Sequence, residues 1–157
     1  MTIKSFRGLI TDEAIQTIAL STNNGSTGYR IVKMEVFPQK PGVVSQESCI
    51  KIFSIPQPDP SVTPPDSTVD FSDNTLLATG FVSNDTSLEA KGLINANRVV
   101  VFDNMTFNQD IHITHHDGLT GEKCNYYLEL EQVKLALDEN TVATLKDIRN
   151  ITQPAVE

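Results

Sequence analysis

The sequence predicts an all-β protein, an antiparallel β-sandwich that is jelly-roll-like and ends in a short C-terminal α-helix. Short runs of β-favouring residues alternate with turn residues along most of the chain, at a spacing typical of about eight antiparallel strands. Strands and helices do not alternate, so a parallel sheet is not expected. The chain has 157 residues, and half of that length lies near the lower limit for an independent core. We therefore expect one domain over residues 1–157.

The first two predicted strands cover residues 14–20 and 29–37. Asn24 and Gly25 lie between them and favour a hairpin turn, because both residues tolerate a positive φ. The second of these strands alternates between apolar and charged residues, which predicts one buried and one solvated face. Its predicted core-facing residues are Val32, Met34 and Val36, and its predicted outward residues are Lys33 and Glu35.

A third strand is predicted over residues 47–55, and both of its faces carry apolar residues. Ile50 and Ile52 lie on one face, whereas Cys49 and Phe53 lie on the other. A strand with two apolar faces is expected to be covered on both sides. A partner subunit is one way to supply the second cover.

The segment 56–66 contains five prolines, which exclude both a helix and an inner strand. An extended conformation of polyproline type is expected. Two interpretations stay open, a solvated insertion between strands and an arm that lies on a neighbouring molecule. Too little chain precedes the segment for it to be a linker between two domains.

The second half of the chain contains four further predicted strands. Gly80 is expected to mark a bulge or a point of close contact in the first of them. In the last, the apolar phase slips by one residue near Gln132, which predicts a bulge or a strand that bends from one sheet to the other. The four strands cover residues 74–82, 98–102, 106–114 and 126–137.

The C-terminal helix is predicted over residues 139–150. Asp138 is a favourable N-cap, and Val142, Leu145 and Ile148 follow at three-residue spacing. This apolar stripe needs a cover. It either closes one end of the sandwich or docks on another subunit.

The charge balance disfavours two classes of partner. The chain has 12 Lys and Arg against 20 Asp and Glu, so its net charge is −8. An acidic surface repels phosphate backbones and anionic lipids, so neither nucleic acid nor a membrane is expected as a partner.

No apolar run approaches the roughly 18 residues that span a bilayer. The first residues lack the apolar block of a signal peptide, so we expect synthesis in a cytoplasm.

Cys49 and Cys124 are the only cysteines. Two cysteines are too few for a disulfide framework or for a zinc site built from cysteine pairs. Each lies in or beside a predicted strand, where a free thiol packs as a small hydrophobic group. Two buried thiols are therefore the first expectation, and a single disulfide between them is the alternative.

The richest group of potential metal ligands is His112, His115, His116 and Asp117. On a straight strand, His112 and His116 share a face but lie roughly 13 Å apart, and His115 points to the opposite face. These side chains converge only if the chain turns at Thr114. We therefore expect polar residues at a strand end and no metal site.

Other candidate chemistry is equally scattered. Asp70, Asp73 and Asp85 are loop acids that leave calcium binding open as an alternative. Glu129 and Glu131 share a strand face, where a solvated surface is their expected role rather than glycoside hydrolysis. A Ser-His-Asp hydrolase lacks the Gly-x-Ser-x-Gly elbow here. We predict no catalytic or cofactor-binding residues and no cofactor.

A family resemblance rests on residues 28–38, residues 99–115 with the motif VFDNMTFNQDI, and residues 125–135 running on to 144–148. These stretches resemble small structural proteins encoded by tailed bacteriophages of marine bacteria, over about residues 5–150. The resemblance implies a virion component that decorates or cements the capsid shell and is not an enzyme. It identifies no functional residue, since no catalytic or ligand motif carries it.

The resemblance also implies a set of partners. These are the major capsid protein or another virion protein, and the protein is expected in the virion. A homo-oligomer is expected, and a trimer suits the local threefold positions of a capsid. Three alternatives stay open: a tail- or fibre-associated virion sandwich, a lectin-like binding module, and a hydrolase with an unrecognised site.

Overall fold

The computed structural model describes residues 2–20, 26–84, 86, 96–102 and 105–135. These residues form eight β-strands and no helix, which confirms the predicted all-β class. The strands are β1 (Thr2–Ile10), β2 (Ile15–Ile18), β3 (Thr27–Pro38), β4 (Gln46–Phe53), β5 (Leu76–Asn84), β6 (Asn97–Val101), β7 (Ile111–Asp117) and β8 (Cys124–Lys134).

The strands form two antiparallel sheets, one of three strands and one of five. The smaller sheet has the order β1-β8-β3, and the larger has the order β2-β7-β4-β5-β6. β1 pairs with β8 in the smaller sheet, and β2 pairs with β7 in the larger sheet. In both sheets, a strand from the beginning of the described chain therefore lies beside a strand from near its end. The fold therefore depends strongly on pairing between strands that are distant in sequence.

The two sheets face each other across one hydrophobic core. Leu128 contributes to it from the three-stranded sheet and Ile52 from the five-stranded sheet. A methyl group added at Gly80 would lie 2.7 Å from Val36 Cγ1 and 3.1 Å from Met34 Cε on the opposite sheet. This confirms the close contact predicted for Gly80, and the β4–β5 register is regular there.

Strand β1 has no counterpart among the predicted strands. It is an edge strand whose side chains are mostly exposed, and only Ile10 is fully buried. Its ladder with β8 runs from Thr2, opposite Gln132, to Ile10, opposite Cys124. Apolar periodicity is a weak signal for such a strand, because pairing rather than burial holds it in place.

The predicted inward set of β3 is wrong at one residue. Met34 and Val36 are buried, but Val32 is 41% exposed. The β3–β8 register shifts around Val32, which is the extra residue of a β-bulge. β8 itself keeps its register through Gln132, so the irregularity predicted there lies instead in its neighbour.

Both faces of β4 are covered, as its two apolar faces predict. Ile52 belongs to the core, and Lys51 on the opposite face is also buried. Lys51 Nζ donates hydrogen bonds to Asp66 Oδ1 at 3.3 Å and to the carbonyl of Thr68 at 2.7 Å. Part of the proline-rich segment 56–66 and the residues after it therefore cover β4 within the same molecule.

Several sequence predictions fall outside the described residues. They are the turn at Asn24 and Gly25, the loop acid Asp85 and the helix over residues 139–150. Among the residues that the structure does describe, no helix has the length and apolar character needed to cross a membrane.

Candidate functional site

The polar residues that the sequence singles out on β7 do not converge. β7 is a regular strand, so its side chains alternate between two faces. His115 and Asp117 are buried, whereas His112 and His116 are half-buried on the opposite face. His112 Nδ1 lies 3.1 Å from Thr17 Oγ1 of β2. The four side chains therefore make separate contacts.

His115 belongs to a buried chain of hydrogen bonds. Its Nδ1 lies 3.1 Å from the carbonyl of Thr11, which can only accept, so Nδ1 carries the hydrogen. Its Nε2 then accepts from Ser48 Oγ at 2.9 Å, and Ser48 Oγ accepts from Gln46 Nε2 at 2.6 Å. Burial lowers the pKa of His115 below its ordinary value, which favours this neutral form.

Ser48 and His115 have the spacing of a serine nucleophile and its base, but their surroundings do not fit hydrolysis. Ser48 is 1% exposed and His115 is 0% exposed, so a substrate has no access to either. The group that orients the imidazole is the carbonyl of Thr11 rather than a carboxylate. The arrangement satisfies polar groups in the core and is structural.

Asp117 organises the loop after β7. Its Oδ1 accepts from the backbone N–H groups of Glu47 and Leu119, and its Oδ2 accepts from the N–H of Glu122 and from Thr120 Oγ1. Burial alone raises the pKa of such a carboxyl. The hydrogen bonds outweigh it, so the pKa of Asp117 lies below its ordinary value and the group stays charged.

His116 lies in a cluster with Asp12 and Glu13, which belong to the turn between β1 and β2. One potential ligand atom from each residue lies within 4.8 Å of the other two. His116 Nδ1 is 3.7 Å from Asp12 Oδ1 and 3.9 Å from Glu13 Oε1. Sequence reasoning missed both acids, because only the pairing of β2 with β7 brings their turn to His116. Two adjacent acids are a local sign of a possible cation ligand pair, but nothing in the linear sequence connects Asp12 and Glu13 to a histidine.

The two cysteines are both free and buried, which confirms the first expectation for them. Burial raises the pKa of Cys124 to about 11 and raises the pKa of Cys49 above its ordinary value. A thiol with a raised pKa is a poor nucleophile and a poor metal ligand at neutral pH. Both groups therefore act as core side chains.

The described loop acids hold their own turns. Asp70 Oδ1 accepts from the N–H and the hydroxyl of Ser72, and Asp73 Oδ1 accepts from the N–H and the hydroxyl of Thr75. These contacts between a carboxylate and the residue two positions later are local turn devices. The hydrogen bonds from Ser72 also hold the pKa of Asp70 below its ordinary value.

The paired glutamates of β8 have separate partners. Tyr127 Oη donates to Glu129 Oε2 at 2.6 Å, which raises the pKa of the tyrosine. Glu131 forms a hydrogen-bonded ion pair with Arg30 of β3. Both acids lie on the outer face of the three-stranded sheet. Glu129 makes its contact within β8, and Glu131 makes its contact across to β3.

This outer face, which we call the β1–β8–β3 face, combines apolar, aromatic and charged side chains. Phe37 is 59% exposed, Ile3 is 43% exposed and Leu9 is 38% exposed. Aromatic residues and arginine beside exposed aliphatic groups are typical of protein–protein interfaces. The strand register aligns four rows across the sheet: Ile3–Glu131–Arg30, Ser5–Glu129–Lys33, Arg7–Tyr127–Glu35 and Leu9–Asn125–Phe37.

An open groove of about 1020 Å³ adjoins this face. Arg7, Phe37 and Tyr127 belong to the β1–β8–β3 face and also line the groove. Val99 of β6 lines it from the five-stranded sheet. The exposed surface therefore continues from the sheet face to the place where the two sheets meet.

No protein-family model matches the chain, and comparison with curated proteins gives no match either. The fold and the surface define a class, a two-sheet β protein in which Ser48, Cys49 and Cys124 are buried and the outer face of the three-stranded sheet is mixed and exposed.

Proposed function

We propose that the two sheets form a jelly roll. In that fold eight strands pair as nested hairpins, first with eighth, second with seventh, third with sixth and fourth with fifth, and then fold into two sheets. The ladders β1–β8, β2–β7 and β4–β5 are three of these pairs. The fourth pair is not a ladder, because β3 and β6 lie in different sheets, and their contact includes the hydrogen bond from Asn97 Nδ2 to the carbonyl of Val36 at 2.9 Å. The ladder of β6 is with β5.

We further propose that the protein is a non-enzymatic structural protein of a virion that decorates or cements the capsid shell. The strand order is the observation that carries this proposal, since jelly rolls recur among viral capsid proteins. A fold alone does not define a function, so the resemblance to phage structural proteins is the second support. The burial of Ser48, His115 and Cys124 also favours a binding role over catalysis.

The proposed contact with the shell is the β1–β8–β3 face. Phe37, Ile3 and Leu9 would be its apolar anchors, and Arg7 and Lys33 would supply polar contacts that set orientation. Apolar anchors on a regular sheet are already held rigidly before binding. Docking therefore loses little conformational entropy. The net charge of −8 favours the outside of the shell, because packaged DNA repels an acidic protein.

A homotrimer is the proposed assembly on the shell. Three copies around a local threefold axis would let each copy bridge neighbouring shell subunits. Light scattering of the purified chain measures the mass of the assembly directly. A mass three times that of the chain supports a preformed trimer, whereas a stable dimer contradicts threefold placement.

Quantitative mass spectrometry of purified virions tests the proposed function. The virions are those of the phage whose genome carries this sequence. A copy number comparable to that of the major shell protein supports decoration of the shell. A few copies per particle would instead indicate a tail or fibre protein, and absence from the particle contradicts a virion role.

The docking face is tested with a double variant, Phe37→Ser with Leu9→Ser. Both side chains are partly exposed and lie outside the core cluster, so we expect the fold to be retained while the apolar anchors are lost. Co-sedimentation with virions that lack the protein is expected to weaken by at least about tenfold, the effect of losing about 1.4 kcal/mol.

The matched control for the docking variant is Val62→Ser. Val62 is 79% exposed and lies in the proline-rich segment, away from the docking face. Its binding to the virions is expected to equal that of the unchanged protein. Binding lost in Val62→Ser but kept in the double variant would place the contact on the proline-rich segment and contradict the proposed face.

A further inference from the structure

We propose that Asp12, Glu13 and His116 bind one divalent cation of the first transition row, for which Zn²⁺ is the probe. The three side chains come from two segments that only the folded chain brings together. One ligand atom from each lies within 4.8 Å of the others. One imidazole and two carboxylates are a donor set that suits zinc. This site is independent of the proposed attachment to a virion.

The separations within the cluster are those of ligands around a cation rather than of a closed ion pair. His116 Nδ1 is buried and has no hydrogen-bond partner. Its distances of 3.7 Å to Asp12 Oδ1 and 3.9 Å to Glu13 Oε1 exceed hydrogen-bond length. A charge-assisted hydrogen bond would close to about 2.7–2.9 Å. Ligand atoms bound tetrahedrally at about 2.0–2.1 Å lie about 3.3 Å apart, so the two separations from His116 Nδ1 exceed those of a bound set by about 0.4–0.6 Å.

The turn that carries the two acids is attached firmly to β7. The N–H of Asp117 donates to Asp12 Oδ1 at 2.6 Å, which fixes the orientation of that carboxylate. The N–H of Glu13 donates to the carbonyl of His115 at 2.9 Å. The backbone of Glu13 has φ +58°, a left-handed conformation that costs a non-glycine residue free energy. A glutamate is thus held where glycine would be unstrained.

The cluster leaves an entry path for the cation. His116 Nδ1 itself is buried, but the side chain of Glu13 is 49% exposed and that of Asp12 is 21% exposed, so the cation would enter from the side of the two acids. Water would complete the coordination on the open side, as in zinc sites with three protein ligands. The expected effect of the metal is to join the β1–β2 turn to the end of β7.

Calorimetric titration of the metal-free, full-length protein with ZnCl₂ tests the proposal. One Zn²⁺ per chain is expected. His116→Ala is expected to weaken the Zn²⁺ affinity by about 100-fold. Loss of a residue that only orients a metal ligand already weakens affinity by about 10–100-fold, and His116 is itself a ligand in this proposal. Glu13→Gln keeps the size and backbone strain of the residue and is expected to weaken it by at least about tenfold.

His112→Ala is the matched control. His112 lies on the same strand and the same face, four residues from His116, and its ring contacts Thr17 instead. Its Zn²⁺ affinity is expected to equal that of the unchanged protein. Circular dichroism without metal verifies that each variant is folded. If His116→Ala does not fold, the comparison of Glu13→Gln with His112→Ala decides the question.

Co²⁺ substitution and ¹⁵N spectroscopy identify the ligand atoms. Co²⁺ bound by imidazole and carboxylates gives visible d–d bands without the thiolate charge-transfer band that Cys49 or Cys124 would add. The ¹⁵N shift of His116 is expected to change at Nδ1. No Zn²⁺ binding, Zn²⁺ binding that survives Glu13→Gln, or a thiolate band on Co²⁺ loading would each overturn the proposal.

Discussion

At the scale of single residues, the predictions that succeeded depend on local constraints, and those that failed depend on distant partners. Gly80 interrupts an apolar strand, which is a local sign of a close contact, and the structure places Val36 against it. The partners of His116 were not predictable, because Asp12 and Glu13 reach it only through the pairing of β2 with β7. Strand alternation did predict that His115 and His116 diverge.

Replacement of Gly80 by alanine is expected to destabilise the fold. The added methyl group would lie 2.7 Å from Val36 Cγ1, so either the Val36 side chain or the two sheets must shift, at a cost of about 1–3 kcal/mol. Urea unfolding measures the change. Gly118→Ala is the control, because a methyl group there meets nothing within 4 Å. Equal stability of the two variants would contradict the close contact between the sheets.

The buried thiol of Cys124 predicts a loss of stability at high pH. Its pKa rises from 9.0 to about 11 on folding, so its stabilising contribution is full below pH 9 and is lost as the pH rises through 11. The loss is about 2–3 kcal/mol, since each unit of pKa corresponds to about 1.4 kcal/mol. Cys49 and Tyr126 add to the loss in the same direction.

Unfolding in urea at pH 8 and at pH 11 measures this loss. Cys124→Ala is expected to be less stable at pH 8 but to lose less stability between the two pH values. A pH dependence that is unchanged in Cys124→Ala would contradict the assignment of the effect to this thiol.

At the scale of elements, strands with buried apolar faces could be predicted from the sequence. Strands held mainly by pairing with a distant strand could not. β4 is covered on both faces, and its two apolar faces predicted this. β1 is an exposed edge strand without an apolar face of its own, so its existence depends on β8. The bulge at Val32 is likewise a matter of register between β3 and β8, and the apolar pattern of β3 alone predicted the wrong face there.

The cover over β4 depends on Lys51, whose side chain is only 9% exposed. Lys51→Met keeps the length of the side chain but removes the hydrogen bonds to Asp66 and Thr68. We expect thermolysin to cleave residues 56–75 about tenfold faster, the effect of about 1.4 kcal/mol of lost attachment. The variant Lys40→Met, at an exposed turn residue, is the control. Cleavage at the rate of the control would show that Lys51 does not hold the segment.

At the scale of the whole molecule, composition and spacing were enough for the class of fold but not for the function. Short β-favouring runs predicted two antiparallel sheets, and the strand order then followed from long-range pairing that no local pattern encodes. The β1–β8–β3 face was equally hidden, because it includes a strand that the sequence did not predict. Exposed residues such as Phe37 become informative only once their neighbours across the sheet are known.

The central proposal is that this protein is a jelly roll attached to the outside of a phage capsid. Cryo-electron microscopy of virions of a phage whose genome carries this sequence tests that proposal most directly. The account predicts density on the outer surface of the shell into which both sheets fit, with Phe37 and Leu9 directed at the shell protein. A map that resolves every protein of the outer surface and leaves no density for these two sheets would contradict it.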